Sequence, residues 1–296
     1  MLKLLLAIAA ISTGAPFARW AAPAPAMAIA ALRPAIASVL QLVAGRKQLR
    51  ALVQLRTRER LLVAAAGLLL AAHFGTWIAS LQLTSTAASV ALVCTNPAFA
   101  ALLGAVLLGD RVTAREVAGI AIAFAGSAVL AGGDWQAGGK ALAGDGLALV
   151  GAVCGAGYLV VGRRVLANPD LPDGASAHAE TRGRVPLLPY LGAVNAIAGV
   201  TLAAIAIGLG DVALPPHSIV ACAGAAVIAS FVGHGLLNAA VRTTPTHLVA
   251  LAVLGEPIGA SLITWAVFGE QPPIHAAIGG AIVLAGIAIG FARRPS

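Results

Sequence analysis

Charge is scarce in this chain. Asp, Glu, Lys and Arg make up 10% of its 296 residues, aromatic residues make up 4%, and there are three cysteines. So little charge excludes a soluble globular domain, whose surface must be covered by groups that water solvates. Cys94, Cys154 and Cys222 each lie in an apolar run without metal-ligand spacing. A disulfide framework and a zinc site are therefore excluded, and the three read as small packing residues. No Walker-type phosphate loop occurs, so the energy for any transport has to come from a gradient. No Ser/His/Asp or Cys/His arrangement is placed by spacing, and the loops are too short to hold a soluble active site. The expectation is a chain that is not an enzyme and that holds neither cofactor nor metal. What is abundant is the hydrophobic set at 59%, with 34 Gly and 16 Pro and a mean hydropathy of +0.93. Lipid solvates such side chains and tolerates such Gly and Pro, so the bilayer is the solvent and a partner. The net charge of +8 does not point to nucleic acid, because the basic residues sit in short loops instead of on one soluble face.

A helix crossing about 30 Å of hydrocarbon needs about 20 residues. The sequence predicts ten such runs: 3–20, 26–45, 61–82, 87–108, 114–132, 142–162, 186–208, 218–239, 246–267 and 274–292. Two connections are basic. Residues 46–60 carry Arg46, Lys47, Arg50, Arg56, Arg58 and Arg60 against Glu59, and residues 163–185 carry Arg163, Arg164, Arg182 and Arg184. The positive-inside rule makes both cytoplasmic. Ten spans then put both termini inside. Of the 19 Lys and Arg, Arg19 and Lys140 fall outside and Arg33 falls within a span, leaving 16 on the cytoplasmic side. Lys3, a short apolar stretch and small residues near Ala28 resemble a cleavable signal peptide. Cleavage would leave nine spans and break the symmetry described next, so this segment is read as the first helix.

Residues 93–111 contain Asn96-Pro97-Ala98, the tripeptide that marks water-channel pores. Sliding the chain by 160 residues decides against that meaning. Pro97 falls on Pro257, Gly109 on Gly269, Asp110 on Glu270, Gly119 on Gly279, and Ala125-Gly126 on Ala285-Gly286. Upstream, Gly75, Ala79, Thr84 and Thr86 fall on Gly235, Ala239, Thr244 and Thr246. This is an internal duplication, with halves 1–136 and 137–296. A half of five spans is odd, so the second copy enters the membrane from the opposite side, as in the inverted repeats of many secondary transporters. A water channel would repeat its Asn-Pro-Ala box on a short half-helix. Here the second copy reads Gly255-Glu256-Pro257, and both copies are expected in the middle of full-length helices.

Two segments in register, HFGTWIASLQLTSTAASVALVCTNPAFAALLGAVLLGDRVT and GHGLLNAAVRTTPTHLVALAVLGEPIGASLITWAVFGEQPP, resemble the drug/metabolite transporter superfamily, specifically its ten-helix members built from two EamA domains. Each holds an apolar helix, a Thr-containing turn, a helix with a central Pro, and an end at Leu108-Gly109-Asp110 or Phe268-Gly269-Glu270. The loop 163–185 is longer and more polar than the family pattern, and the tail is very short. The resemblance implies an all-α integral membrane fold and a transporter of small organic solutes, often an exporter, with a central cavity between its halves. It implies no particular substrate, since the family spans amino acids, nucleosides, sugars and drugs. A passive channel and a membrane-embedded enzyme using Glu256 with a His are the rival readings.

Polar residues inside spans are expensive and therefore informative. Glu256 is the one acid in the middle third of any span and is the candidate for proton coupling or for holding a substrate ammonium. Its repeat counterpart is the neutral Asn96. His73 and Trp77 share a face of the third span, and His234 and Asn238 share a face of the eighth. These six residues are the candidate substrate-binding set. Arg33, about 10 Å in from the outer surface at 1.5 Å per residue, is expected to pair with an acid or to anchor an anionic substrate group, with a possible part in coupling. Pro97 and Pro257 are expected to kink their helices and to act as hinges. The glycines of the last span in each half are expected to pack within the chain or to form a dimer face, leaving monomer and homodimer both open. The expected setting is a bacterial inner (plasma) membrane.

Overall fold

Proline, glycine and hydroxyl side chains set where the helices of this chain start, break and stop. The computed structural model describes residues 2–84, 86–130, 139–166, 185–269 and 274–292, and every regular element among them is helical. The first predicted span is a bent pair, α1 Leu2–Ile11 and α2 Gly14–Trp20. At the bend Ser12 Oγ donates to the Ile8 carbonyl and Thr13 Oγ1 to the Ala10 carbonyl, each 2.7 Å. Such local bonds compete with the helical ladder. Beyond Pro25, whose backbone is extended, runs α3 Ala26–Ala44. A 3-10 turn, Arg46–Gln48, and the short α4 Arg50–Val53 lead to α5 Thr57–Ser80. Glu59 closes the first turn of α5 by accepting the Arg56 N–H at 2.8 Å, a capping contact that also suits the helix dipole.

The next elements are α6 Thr86–Val93, α7 Asn96–Leu108, α8 Ala114–Leu130, α9 Gly139–Leu166 and α10 Leu187–Leu209. Then α11 Pro216–Ala225, a π-helical stretch Ala226–His234 and α12 Gly235–Ala240 form one continuous rod. The chain continues with α13 Thr246–Val253, α14 Glu256–Phe268 and α15 Ile274–Phe291. Arg182, Arg184 and Glu270, which entered the charge and repeat patterns, lie outside the described residues.

Two expectations are corrected here. Pro97 and Pro257 do not sit in the middle of continuous helices. α6 stops at Val93 and α13 at Val253, and each proline falls in the first turn of the following half-helix. A missing N–H costs nothing there, because the first turn has no intrahelical acceptor for it. The bends fall at Cys94-Thr95 and Leu254-Gly255. The case against a water channel therefore rests on the second copy's Glu256, not on unbroken helices. Both half-helices end in a left-handed glycine, Gly109 and Gly269, each at φ 72°, a conformation that a Cβ disfavours.

Among the described residues, seven stretches are long and apolar enough to cross a bilayer: Leu2–Trp20, Ala26–Ala44, Thr57–Ser80, Gly139–Leu166, Leu187–Leu209, Pro216–Ala240 and Thr246–Val267. Asn96–Leu108 and Ala277–Phe291 are shorter apolar helices. Large apolar side chains such as Val106, Val200 and Ile207 face outward, where lipid tails solvate them. The chain is a multi-pass α-helical membrane protein.

Inside, small residues bring backbones together. α8 lies on α15 so closely that a Cβ on Gly119 would meet the Gly286 carbonyl oxygen at 2.7 Å, and one on Gly126 the Val283 nitrogen at 2.6 Å. These glycines are buried against each other within one chain. α3 packs on α10 and α5 on α9. Between α3 and α10, buried Asn195 donates from Nδ2 to Gln41 Oε1 at 3.0 Å.

Candidate functional site

The bends in α6/α7 and α13/α14 bring their half-helix starts to one place. Asn96 opens α7 and Glu256 opens α14, and both line a single cavity together with Arg33 of α3, His73 and Trp77 of α5, and His234 at the end of the π-helical stretch. The cavity measures about 50 Å³, room for a few waters at about 10–15 Å³ of such space each. Its apolar wall includes Ile11, Val93, Leu159, Leu237 and Val253, and Phe74 and Tyr158 complete it.

Each side chain is held by its neighbours. His73 and Trp77 stack, with ring centroids 6.2 Å apart and planes 13° apart. His73 Nδ1 lies 2.8 Å from the Gly151 carbonyl oxygen. A carbonyl only accepts, so Nδ1 carries a proton and the neutral ring keeps its lone pair on Nε2. Gly155 makes this seat possible, since a Cβ there would stand 2.9 Å from His73 Nδ1. Phe74 and His234 form a T-shaped pair at 5.8 Å and 80°, and Phe74 presents its face to the Arg33 guanidinium at 4.6 Å. Arg33 donates from Nε to Ser230 Oγ at 2.8 Å. The acid partner expected for Arg33 is not found within 4 Å among the described residues; a hydroxyl and a ring face hold it instead. Arg33 Nη1, Trp77 Nε1 and Asn96 Oδ1 are buried without a hydrogen-bond partner among the described residues.

Asn238 is the expected residue that the cavity does not include. It is fully buried, donating from Nδ2 to the Tyr158 hydroxyl at 2.6 Å and to the His234 carbonyl at 2.8 Å. Sharing a helical face with His234 was a correct reading of the spacing, but the amide turns back onto its own helix and braces Tyr158 from behind. Tyr158, Phe74 and Ser230 escaped the sequence reading. Tyr158 had a signal, being one of two tyrosines in the chain and standing in the middle of an apolar run. Phe74 and Ser230 had none, since one reads as core and the other as a helix-packing hydroxyl.

Polar contacts tie the ends of the helices together beyond the cavity. Arg163 at the end of α9 pairs with Asp110 just past α7, with Nη1 2.6 Å from Oδ1. Its neighbour Arg164 donates to the Leu107 carbonyl at 2.8 Å. Glu116 near the start of α8 lies 3.4 Å from His247 of α13.

The chain matches the EamA-like transporter family over residues 1–132 and 179–291. It is 33% identical over 201 residues to a protein of Streptantibioticus cattleyicolor described as a probable terminal-alkyne amino-acid exporter, covering 66% of this chain and 61% of the exporter. The match thus spans about three fifths of that relative's length. An uncharacterized transporter of Archaeoglobus fulgidus is 26% identical over 214 residues, covering 71% of this chain and 68% of its own length. One solved crystal structure superposes with a TM-score of 0.77 over 98% of this chain and 95% of the other at 20% identity, a likeness of fold alone. The family match covers well over half the chain, and this multi-pass protein is a member of the EamA-like transporter family.

Proposed function

We propose that the protein exports small organic metabolites, amino acids or related compounds, by alternating access, and that it is built of ten spans arranged as two inverted repeats, 1–136 and 137–296. The observation that carries this reading is the cavity where polar side chains converge from α3, α5, α7, the π-helical stretch and α14. A polar group facing hydrocarbon is costly, so such convergence marks a site for a polar solute. The two-fold arrangement is supported by contacts that the 160-residue shift relates. Phe74 touches His234, Asn96 and Glu256 share the cavity, and Gly119 meets Gly286 while Gly126 meets Gly279. The last two contacts exchange with each other when the halves are swapped. The substrate class leans on the amino-acid exporter among the relatives.

At about 50 Å³ the cavity is too small for an amino acid, so loading requires the helix ends to part. The contacts of Asp110 with Arg163 and of Glu116 with His247 join the proposed halves and close the side assigned to the cytoplasm. His73, Trp77, Asn96, His234 and Glu256 form the proposed binding wall, with Asn238 supporting it. Glu256 is the proposed proton-coupling residue, with Arg33 beside it.

Reconstituted protein should show saturable counterflow, in which unlabelled amino acid inside vesicles drives uptake of labelled amino acid. Flux that rises linearly with concentration would make it a channel. Orientation is a separate expectation, with both termini cytoplasmic in a bacterial inner membrane. A C-terminal fusion to a reporter active in the cytoplasm should work, and activity of a periplasm-dependent reporter at that end would overturn the ten-span arrangement.

A further inference from the structure

We infer that Arg33 is the carboxylate-binding residue for a zwitterionic amino acid with an apolar side chain, with Glu256 taking the ammonium. This rests on the reading that amino acids are the substrates and specifies how the cavity would hold one.

Arg33 keeps its charge under all physiological conditions, and an unpaired buried cation is costly. It is 5% exposed. Its neighbours satisfy only part of the guanidinium, with Ser230 accepting from Nε at 2.8 Å and Phe74 covering the ring-facing side at 4.6 Å. Nη1 is left with N–H groups and no acceptor. The indole of Trp77 lies 6.0 Å from the guanidinium carbon, and its Nε1–H is also buried and unpartnered. Two such donors on residues that line one cavity suit a carboxylate.

The same wall carries the complementary end. Glu256 and Asn96 stand at the starts of α14 and α7, and Asn96 Oδ1 is a buried acceptor without a donor. An ammonium supplies donors to both. One fixed cation and one carboxylate make the cavity neutral as a whole, which favours a net-neutral ligand over an amine or an acid carrying a single charge. Ile11, Val93, Leu159, Leu237 and Val253 leave apolar surface for the side chain.

The test uses the purified full-length protein in detergent with L-leucine, L-norvaline and L-propargylglycine, each compared with its amide, in which the carboxylate is replaced by a neutral group. Binding is read by titration calorimetry and thermal shift. Wild-type protein should bind the acid about 10- to 100-fold more tightly than the amide, the range for one charge-assisted bidentate contact. Arg33→Gln should lose the preference, binding the acid no more tightly than the amide. Persistent discrimination by Arg33→Gln would overturn the assignment of Arg33. Equal binding of acid and amide by wild-type protein would overturn it without any variant, so the test survives a variant that fails to fold. If no amino acid binds wild-type protein while another solute shows saturable counterflow, the amino-acid reading falls and this assignment with it.

Discussion

Glu256→Gln should lose accumulation driven by a pH gradient while keeping counterflow at a higher half-saturating concentration, because its amide oxygen still accepts from an ammonium but carries no charge. Glutamine keeps the shape and the hydrogen-bonding capacity of the protonated acid but cannot exchange a proton. The backbone around it should be undisturbed, because the bond that Ser12 Oγ makes there is to the Glu256 main-chain carbonyl, at 3.2 Å. One pH unit is worth about 1.4 kcal/mol per proton, so a one-to-one exchange supports about tenfold accumulation. The variant should fall to none. In vesicles with an imposed gradient of one unit, wild-type protein should reach the higher plateau and Glu256→Gln should equilibrate to equal concentrations on the two sides. An unchanged plateau in the variant would make Glu256 a structural brace. The asymmetry between the halves is the reason for expecting loss, since the corresponding position in the first half is Asn96, a group that cannot titrate.

Gly126→Ala should be among the more damaging methyl additions to this protein. In most helices Gly to Ala stabilises by about 0.5–1 kcal/mol through backbone entropy. At Gly126 the new methyl would lie 2.6 Å from the Val283 nitrogen and 2.8 Å from the Gly279 carbonyl oxygen. Both are backbone atoms of α15, so no rotamer change can relieve the clash and the two helices have to separate. Overpacking of this kind costs about 1–3 kcal/mol or more, which exceeds the propensity gain. Gly146→Ala is the control, because a methyl there meets nothing within 4 Å. In detergent thermal unfolding, Gly126→Ala should melt several degrees below wild type, while Gly146→Ala should match or exceed it. Equal melting of the two variants would mean that α8 and α15 do not approach as closely as their glycines allow.

The bilayer setting was legible in hydropathy and charge, because transfer into lipid is a sum over single residues and needs no knowledge of neighbours. The placing of Gly119, Gly126, Gly279 and Gly286 at helix contacts was legible for a related reason, since a missing side chain marks a close approach whichever helix makes it. Spacing, repeat symmetry and the cost of polar groups in lipid put His73, Trp77, Asn96, His234, Asn238 and Glu256 together; all but Asn238 line the cavity, and Arg33 joins them there. What each one meets there was not legible. Arg33 finds Ser230, 197 residues away, and Asn238 finds Tyr158, 80 residues away. Hydrogen bonds and ring contacts are short-ranged and directional, so these partners exist only once the helices are side by side. The bends before Pro97 and Pro257 belong to the same class. A proline states that a hydrogen bond is missing, but whether the chain kinks through it or starts a new half-helix there depends on the packing around Thr95 and Gly255, and only the tertiary structure decided it.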